Sequence, residues 1–314
     1  MRKLVLLLAL YTIACQNIIK QMDFSIIKQK KIEVPAVSGL EVYGDKLLMI
    51  SDNTEGLSIC NLSGNLIETI ALKKGDEFPS KVLEKKEKSD YEACTIISKE
   101  NEEYLFLIGS GSKKENRNKA KLISLTDNYK VKNFDLEKFY DFLRSKFDID
   151  LVDFNIEALA YHDNKLYFFN RGKNEIFVVK KSAFFDYLEG EKQNFKFNRH
   201  KMNLNAIDGL FAGVSGATIT SNGIVIITAS AERTSDWYND GEIVGSSVGW
   251  FRLSEMQSEF KVNTQILKEN GIVLKTKIES VAVHTNDQHK AKLLLVSDND
   301  GADSELFNMD ILFN

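Results

Sequence analysis

The amino-acid sequence predicts an all-β fold, a single β-propeller of five blades with one or two short helical insertions. A short phrase, usually containing a glutamate, recurs five times at intervals of roughly 50 to 65 residues. Each copy is followed by a turn and an apolar run, as in a β-hairpin. Only two prolines occur, so no proline-rich linker divides the chain. A repeat of strands and turns with this period is typical of a propeller. The five copies begin at Ser38, Asp90, Asn155, Ser215 and Lys277.

Each repeat can hold the four antiparallel strands of a blade. We expect inner strands at 40–43, 92–98, 156–162, 216–220 and 278–284, with a second strand after each turn. The fifth copy ends after three strands, whereas residues 24–34 have strand-like content before the first copy. We therefore expect residues 24–34 to complete blade five, because closing the ring removes open sheet edges. Six blades is the alternative, if residues 75–89 or 205–214 hold a degenerate blade.

Two inserts interrupt the strand pattern. Apolar residues at steps of three and four predict an amphipathic helix over 136–147. A shorter helix is expected over 181–191. We interpret both as covers over blade edges, with a dedicated partner site as the alternative.

The N-terminus indicates export. Arg2 and Lys3 precede a short apolar stretch, and a small residue stands directly before Cys15, which resembles a bacterial lipoprotein lipobox. The resemblance implies a signal peptide over 1–15, a lipid on Cys15, a tether over 16–23 and the propeller domain over 24–314. The protein would then be anchored in the membrane of the cell envelope, periplasmic or surface-exposed. Ordinary cleavage, with Cys15 incidental, is the alternative.

The composition limits the classes of partner that we expect this protein to bind. The net charge of −4 gives no reason to expect nucleic acid, and we expect a monomer. Cys60 and Cys94 fall in predicted strands, where buried free thiols are commoner than a disulfide.

The repeated glutamates are the first candidate site residues. They are expected to face the propeller axis, because their aliphatic neighbours alternate with them and pack between blades. Carboxylates grouped there would repel one another without a counter-charge, so the axis should also hold a metal, basic side chains or both. The glutamates are Glu41, Glu92, Glu157 and Glu279.

A second set of candidates follows the second strands. Arginine suits two-pronged binding of a carboxylate or phosphate, and Ca²⁺ prefers oxygen ligands. An anion-binding mouth with Ca²⁺ is therefore one interpretation, and arginine–glutamate pairs that join the blades are the other. The arginines are Arg117, Arg171 and Arg233, and the candidate metal ligands are Asp52, Asp298 and Asp300.

We expect a long loop over 230–250, which contains both tryptophans, Trp237 and Trp250, beside several acids. Exposed aromatic rings could stack a sugar, whereas a purely structural anchor is the alternative. No sequence signature of a serine nucleophile, a phosphate-binding loop or a dinucleotide site is present.

The phrases Ser38-Gly39-Leu40-Glu41, Ser51-Asp52-Asn53 and Asp90-Tyr91-Glu92-Ala93 resemble the opening blades of phytase-like and SdiA-regulated bacterial propellers. The resemblance implies an envelope propeller with a Ca²⁺-dependent, phosphoester-hydrolysing relative. The leading hypothesis is a charged axial pocket that binds, and as an enzyme would hydrolyse, a small anionic ligand such as a phosphate ester. The alternatives are a non-catalytic protein-interaction scaffold of the envelope and a carbohydrate-binding propeller.

Overall fold

The computed structural model describes residues 23–73, 83, 87–191, 196–234, 241–298 and 303–313. Five antiparallel sheets stand around one axis, and each inner strand contacts the inner strands of the two neighbouring sheets. The predicted five-bladed propeller is confirmed. The expected signal peptide, most of the tether, Asp300 and Trp237 lie outside the described residues.

Strand β1, Asp23–Pro35, comes first along the chain and belongs to the last blade. Blade one then consists of β2 Val37–Tyr43, β3 Lys46–Ser51, β4 Gly56–Asn61 and β5 Leu66–Ala71. Blade two consists of β6 Tyr91–Lys99, β7 Glu102–Gly109, β8 Lys119–Ser124 and β9 Val131–Asp135.

Blade three gains a fifth strand from the repeat of blade four. Blade three consists of β10 Ile156–His162, β11 Lys165–Asn170, β12 Glu175–Lys180 and β13 Asn198–Asn203. Blade four consists of β14 Gly213–Ile219, β15 Ile224–Arg233, β16 Glu242–Arg252 and, after β17 Glu259–Lys261, strand β18 Thr264–Ile266. Strand β17 pairs in parallel with β13, so a segment of repeat four widens blade three to five strands, which the sequence did not predict.

Blade five closes the ring. A small hairpin of β19 Lys268–Glu269 and β20 Ile272–Val273 precedes it. The blade consists of β21 Lys277–Asn286, β22 Lys290–Asp298 and β23 Asp303–Leu312, and β1 pairs antiparallel with β23 as its outer strand. The expected closure by the N-terminal strand is therefore confirmed.

Both predicted helices are present. Helix α1 runs over Glu137–Phe147 and helix α2 over Lys181–Leu188, and their aromatic residues join the core between blades two and three. Within the described residues, no helix is long and apolar enough to cross a membrane.

The loop expected over 230–250 is shorter in the structure. Strands β15 and β16 extend to Arg233 and from Glu242, so Trp250 lies within β16. The ring of Trp250 packs edge-on against the ring of Phe313, with 5.3 Å between the ring centroids. Trp250 therefore contributes to packing within the fold. The interpretation of Trp250 as a loop residue is wrong.

The hydrophobic core is divided among the blade interfaces. One apolar cluster lies at each of the five interfaces between neighbouring blades, and a smaller sixth cluster lies within blade four. Cys60 and Cys94 are buried free thiols in two of these clusters, as expected. Because the apolar side chains pack between the blades, the axis is left to the polar residues of the inner strands.

Candidate functional site

All five inner strands carry a β-bulge at the same level, near the end of the axis where each strand begins. A bulge leaves one residue out of the ladder pairing and redirects its side chain. The residue before each bulge is buried and apolar, and the residue after it is small. The five bulge residues are Ser38, Glu92, Glu157, Ser215 and Glu279.

The bulges correct the equivalence predicted for Glu41. Glu41 pairs with Leu48, three residues beyond the bulge residue Ser38, and therefore lies deeper along the axis than the other repeat glutamates. There its carboxylate accepts a hydrogen bond from the Thr95 side chain, and burial raises the pKa of Glu41 to about 7. In the fourth copy the bulge residue is Ser215, so this blade places a hydroxyl at the position where blades two, three and five place a glutamate.

Two further rings border the bulges at the same end of the axis. The first ring consists of the residues two positions before each bulge. Each of these residues pairs through its backbone with a residue at the end of the second strand of the same blade, and these partners form the second ring. The first ring is Ala36, Asp90, Asn155, Gly213 and Lys277. The second ring is Asp52, Ser110, Arg171, Ser230 and Asp298.

Together with the adjoining loops, these rings place a cluster of charged side chains around the axis, which we term the axial pocket. Its carboxylates are Asp52, Asp90, Glu92, Glu157, Glu232, Glu279 and Asp298. Its cations are Lys88, Arg117, Arg171 and Lys277. Seven carboxylates against four cations leave an excess of acidic groups.

Blades three to five supply one half of the axial pocket. Arg171 donates to Ser230 Oγ and to Glu232 Oε1, each at 3.0 Å. Lys277 Nζ lies 2.6 Å from Glu279 Oε1 and 3.7 Å from Glu232 Oε1. These five side chains form a continuous polar network in which every cation contacts a carboxylate.

Blades one and two supply the other half. Arg117 Nη1 lies 2.8 Å from Asp90 Oδ2, and Lys88 Nζ contacts Asp52 and lies 3.9 Å from Asp90 Oδ1. One oxygen from each of Asp52, Asp90 and Glu92 lies within 4.8 Å of the others. Three carboxylates could thus reach one Ca²⁺, but the Lys88 ammonium already occupies their neighbourhood, so this donor set fits the ion only in part.

Burial dominates the ionisation of the axial pocket. It raises the pKa of Glu279 to about 8 and raises the pKa of Asp90, Glu92 and Glu157, although Lys277, Arg117 and Arg171 oppose the shift. The carboxylates in turn raise the pKa of Lys277 above its usual range, against the effect of burial, with Glu279 the strongest contributor. The pocket therefore holds one carboxyl group, Glu279, that titrates near pH 8, beside others whose pKa burial raises.

Three buried oxygens of the axial pocket have no hydrogen-bond partner in the described part of the chain: Glu279 Oε2, Asp52 Oδ1 and Asn155 Oδ1. Glu279 is only 3% exposed, and the amide of Asn155 donates to Glu157 Oε1 at 2.6 Å, so its oxygen faces away from that carboxylate. Unsatisfied buried acceptors cost free energy. Asp52 Oδ1, Asn155 Oδ1 and, when its carboxyl is ionised, Glu279 Oε2 are acceptors, so the group that would complete the pocket is a donor or a cation.

Most, but not all, of the site residues predicted from the sequence lie in the axial pocket. The axial pocket brings together Glu92, Glu157, Glu279, Asp52 and Asp298 with Arg117 and Arg171. Arg233 is separate from them, since it is 59% exposed and pairs loosely with Asp208 and Glu242 at 3.5 and 3.8 Å. Asp300 and Cys15 lie outside the described residues.

Sequence reasoning missed four members of the axial pocket. Asp90 and Lys277 are the first residues of their repeat phrases. Lys88 lies two residues before Asp90 of the first ring, and Glu232 lies two residues after Ser230 of the second ring. The signal that could have aligned them is the triplet of apolar, polar and small residues that marks each bulge.

The comparisons with known proteins agree with the fold. Over 93% of this chain and 98% of the other, the structure resembles the crystal structure of Myxococcus xanthus glutaminyl cyclase, with 11% identity and a TM-score of 0.51. Virginiamycin B lyase from Staphylococcus aureus follows with 11% identity, 94% and 100% coverage and a TM-score of 0.42. No curated protein matches the sequence.

The likeness to glutaminyl cyclase shows the fold alone, so the resemblance to phytase-like and SdiA-regulated propellers stays a prediction. The sequence match is to a family model described as "Family of unknown function (DUF6929)", which covers residues 33–311 and thus all five blades. The chain therefore belongs to the DUF6929 family.

Proposed function

We propose that this propeller binds a small ligand in the axial pocket and that the bound group is a cation with hydrogen-bond donors, most simply an amine. The observation that carries the proposal is the set of unsatisfied buried acceptors, with Glu279 Oε2 the most deeply buried among them. An ammonium or guanidinium group offers donors to such atoms and a charge to the acidic excess.

The charges support a cation more strongly than an anion. Arg171 is already paired with Glu232, and Arg117 with Asp90, so neither guanidinium offers a free positive face to a phosphate. An incoming anion would also meet the surplus carboxylates, which repel it. The sequence offered arginine–glutamate pairs that join the blades as the alternative to anion binding. Arg171 pairs across two blades with Glu232, which is not one of the repeat glutamates, and Arg117 pairs with Asp90 of its own blade, so acidic pairing supports this alternative only in its general form.

A phosphate ester remains the second candidate, because both arginines do line the axial pocket. Its binding would require Ca²⁺ between the phosphate and the carboxylates of Asp52, Asp90 and Glu92. Under this hypothesis phosphate and Ca²⁺ bind together, and neither binds well alone. Hydrolysis of the ester would be a further step, for which the ligand must first be identified.

An enzymatic role is compatible with the amine proposal. Glu157 and Glu279 are buried carboxyls with raised pKa values beside a lysine, which is the setting of many general acids and bases. The name of the Myxococcus xanthus glutaminyl cyclase includes the glutaminyl group, and glutamine carries an amine, so it belongs to the proposed ligand class. A glutaminyl peptide is accordingly a useful probe for both binding and turnover.

We further propose that Cys15 carries a lipid and anchors the propeller in the cell envelope. The basic start, the apolar stretch and the position of the cysteine support this proposal. Cells expressing the wild type and Cys15→Ser are fractionated after labelling with a fatty-acid analogue. Label and membrane association lost together in Cys15→Ser would support the anchor, whereas an unlabelled, soluble wild type would contradict it.

The ligand proposal is tested by thermal unfolding of the full chain with ammonium, methylguanidine, a glutaminyl dipeptide, Ca²⁺, phosphate, and Ca²⁺ with phosphate. A ligand that binds only the folded state at 100 times its Kd adds about 2.7 kcal/mol of stability. We expect the amine and guanidinium probes to raise the midpoint for the wild type and for Glu242→Gln, an exposed control. They should have no effect on Glu279→Gln, whose amide would point a donor at the ligand.

A rise with Ca²⁺ that grows with phosphate would instead support the phosphate-ester candidate. No rise with any probe would count against a small-molecule pocket and would favour the protein-interaction scaffold.

A further inference from the structure

We propose that the amine carries an apolar organic group, and that Phe211 and Val152 bind this group at the mouth of the axial pocket. The inference rests on the proposed function and deepens it, because it adds the chemical class of the rest of the ligand. It follows from an independent observation, the position of two exposed apolar side chains beside Arg171.

Phe211 lies at the edge of the axial pocket, in the segment that enters strand β14, and is 46% exposed. A methyl group placed on Gly213 would lie 2.6 Å from Arg171 Cγ and 3.3 Å from Phe211 Cε1. The phenyl ring and the stem of the arginine therefore meet at this glycine. The far end of the same arginine is bound to Glu232 inside the pocket.

Val152 flanks Arg171 from the side of blade three. It lies in a short 3-10 turn, Leu151–Asp153, and is 64% exposed. The carbonyl of Asp153 accepts a hydrogen bond from Asn170 Nδ2 at 3.0 Å, and it packs so closely on Gly172 that a methyl group there would lie 2.1 Å from the oxygen. The turn is thus fixed against both residues that flank Arg171 in sequence.

The other large exposed apolar side chains are remote from the axis. Among the described residues, they lie on the outer strands of blades one and five, at the end of the third strand of blade five and on the small hairpin before that blade, where scattered exposure is ordinary. These residues are Ile27, Leu66, Ile67, Ile272 and Leu312. Phe211 differs from them because its ring meets the stem of Arg171, and Val152 differs because its turn packs on the two residues that flank Arg171.

An apolar rim next to an acidic pocket fits an amphipathic cation. The ammonium or guanidinium group would meet the buried carboxylates, and the apolar substituent would cover Phe211 and Val152. Burying apolar surface gives roughly 25 cal/mol per Å², so a phenyl-sized substituent is sufficient for about a tenfold gain in affinity. Small hydrated cations such as ammonium could make only the first of these contacts.

The experiment compares methylamine, butylamine and benzylamine, with benzyl alcohol as the uncharged counterpart, by calorimetric titration of the full chain. The variants are Phe211→Ala, Val152→Ala and Ile67→Ala, the last being a control at an exposed outer strand. We expect benzylamine to bind the wild type about tenfold more tightly than methylamine. Phe211→Ala should remove most of that difference, Val152→Ala should reduce it, and Ile67→Ala should leave it unchanged.

The outcomes separate this inference from the function on which it rests. Equal affinity for the three amines in the wild type, or an unchanged preference for benzylamine in Phe211→Ala, would overturn the apolar rim while the cation pocket stands. Benzyl alcohol binding as tightly as benzylamine would overturn the cation pocket itself. No binding of any amine would overturn both, and folding of each variant is verified by its unfolding midpoint.

Discussion

Lys277 and Glu279 form an asymmetric pair: Lys277 Nζ lies 2.6 Å from Glu279 Oε1, whereas Oε2 of the same carboxylate is buried without a hydrogen-bond partner in the described residues. The lysine thus satisfies half of the carboxylate. The two residues lie on either side of Ile278 at the bulge of the inner strand, so the backbone holds them together. This arrangement leaves one buried, acidic oxygen available to a ligand.

We expect Lys277→Met to destabilise the protein in a pH-dependent way. At pH 9 Glu279 is ionised, because its pKa is about 8, and removing its buried partner should cost roughly 3–5 kcal/mol. At pH 6 Glu279 is protonated and the cost should be smaller. Denaturant unfolding at both pH values measures the difference, with Lys275→Met as the exposed control. An equal cost at the two pH values would show that the pair does not depend on the ionisation of Glu279.

The arginines Arg171 and Arg233 should differ sharply in their contribution to stability. Arg171 is buried and bound to Ser230 and Glu232. Arg171→Met leaves the Glu232 carboxylate with only its longer contact to Lys277 and should cost about 3–5 kcal/mol. Arg233 is exposed and its ion pairs are long, so Arg233→Met should change stability by no more than about 0.5 kcal/mol. Urea unfolding of the two variants under the same conditions tests the contrast. Similar losses for both would mean that Arg233 has a structural role that its exposure conceals.

The repeat phrase was sufficient to predict the blades, and the strand missing from its fifth copy predicted the closing strand. Both helices followed from apolar periodicity in the two inserts. The level of each side chain along the axis was not predictable in the same way. A bulge adds one unpaired residue, and a comparison aligned on glutamate therefore placed Glu41 with Glu92. Lys88 lies before the inner strand of blade two and Lys277 is the first residue of the inner strand of blade five, so neither holds the repeated glutamate position on which the copies were compared.

The position of Glu41 leads to a prediction about stability. Its pKa is raised from 4.5 to about 7, first by burial, so between these pH values the folded protein keeps a proton that the unfolded chain has lost. Stability from this group is therefore complete below pH 4.5 and falls as the pH rises to 7. The loss is at most about 3 kcal/mol, and less where channel water reaches the carboxyl.

Glu41→Gln removes this ionisation, so the variant should lose less stability than the wild type between pH 4.5 and pH 8. Unfolding free energies at the two pH values are the measurement, with the exposed Glu68→Gln as the matched control. If the pH dependence of Glu41→Gln equals that of the wild type, the carboxyl of Glu41 titrates normally in the folded state.

Closure by strand β1 can be tested with two isoleucines on the same strand. Ile32 is buried in the cluster between blades five and one, whereas Ile27 is exposed. Ile32→Ala should cost about 2–5 kcal/mol, and Ile27→Ala about 0.5 kcal/mol or less. Guanidinium unfolding provides both values. A small cost at Ile32 would indicate that the ring stays closed without the packing of β1.

Ligand binding should depend on pH through Glu279. The carboxyl is surrounded by Lys277, Glu157, Asp298 and Arg171, and burial raises its pKa to about 8. A cation binds the ionised carboxylate, so below pH 8 binding must displace a proton. The affinity for methylguanidine, whose charge does not change in this range, should therefore fall by up to about tenfold per pH unit below 8 and level off above it.

Calorimetric titration in two buffers of different ionisation enthalpy measures the released proton directly. We expect nearly one proton per ligand at pH 7 and almost none at pH 9, because Glu279 is ionised in the free protein at the higher pH. Glu242→Gln should retain this behaviour, since that residue is exposed and outside the axial pocket. Tight binding at pH 7 without proton release would mean that the cation contacts carboxylates already ionised, such as Asp52, and would move the binding site toward blades one and two.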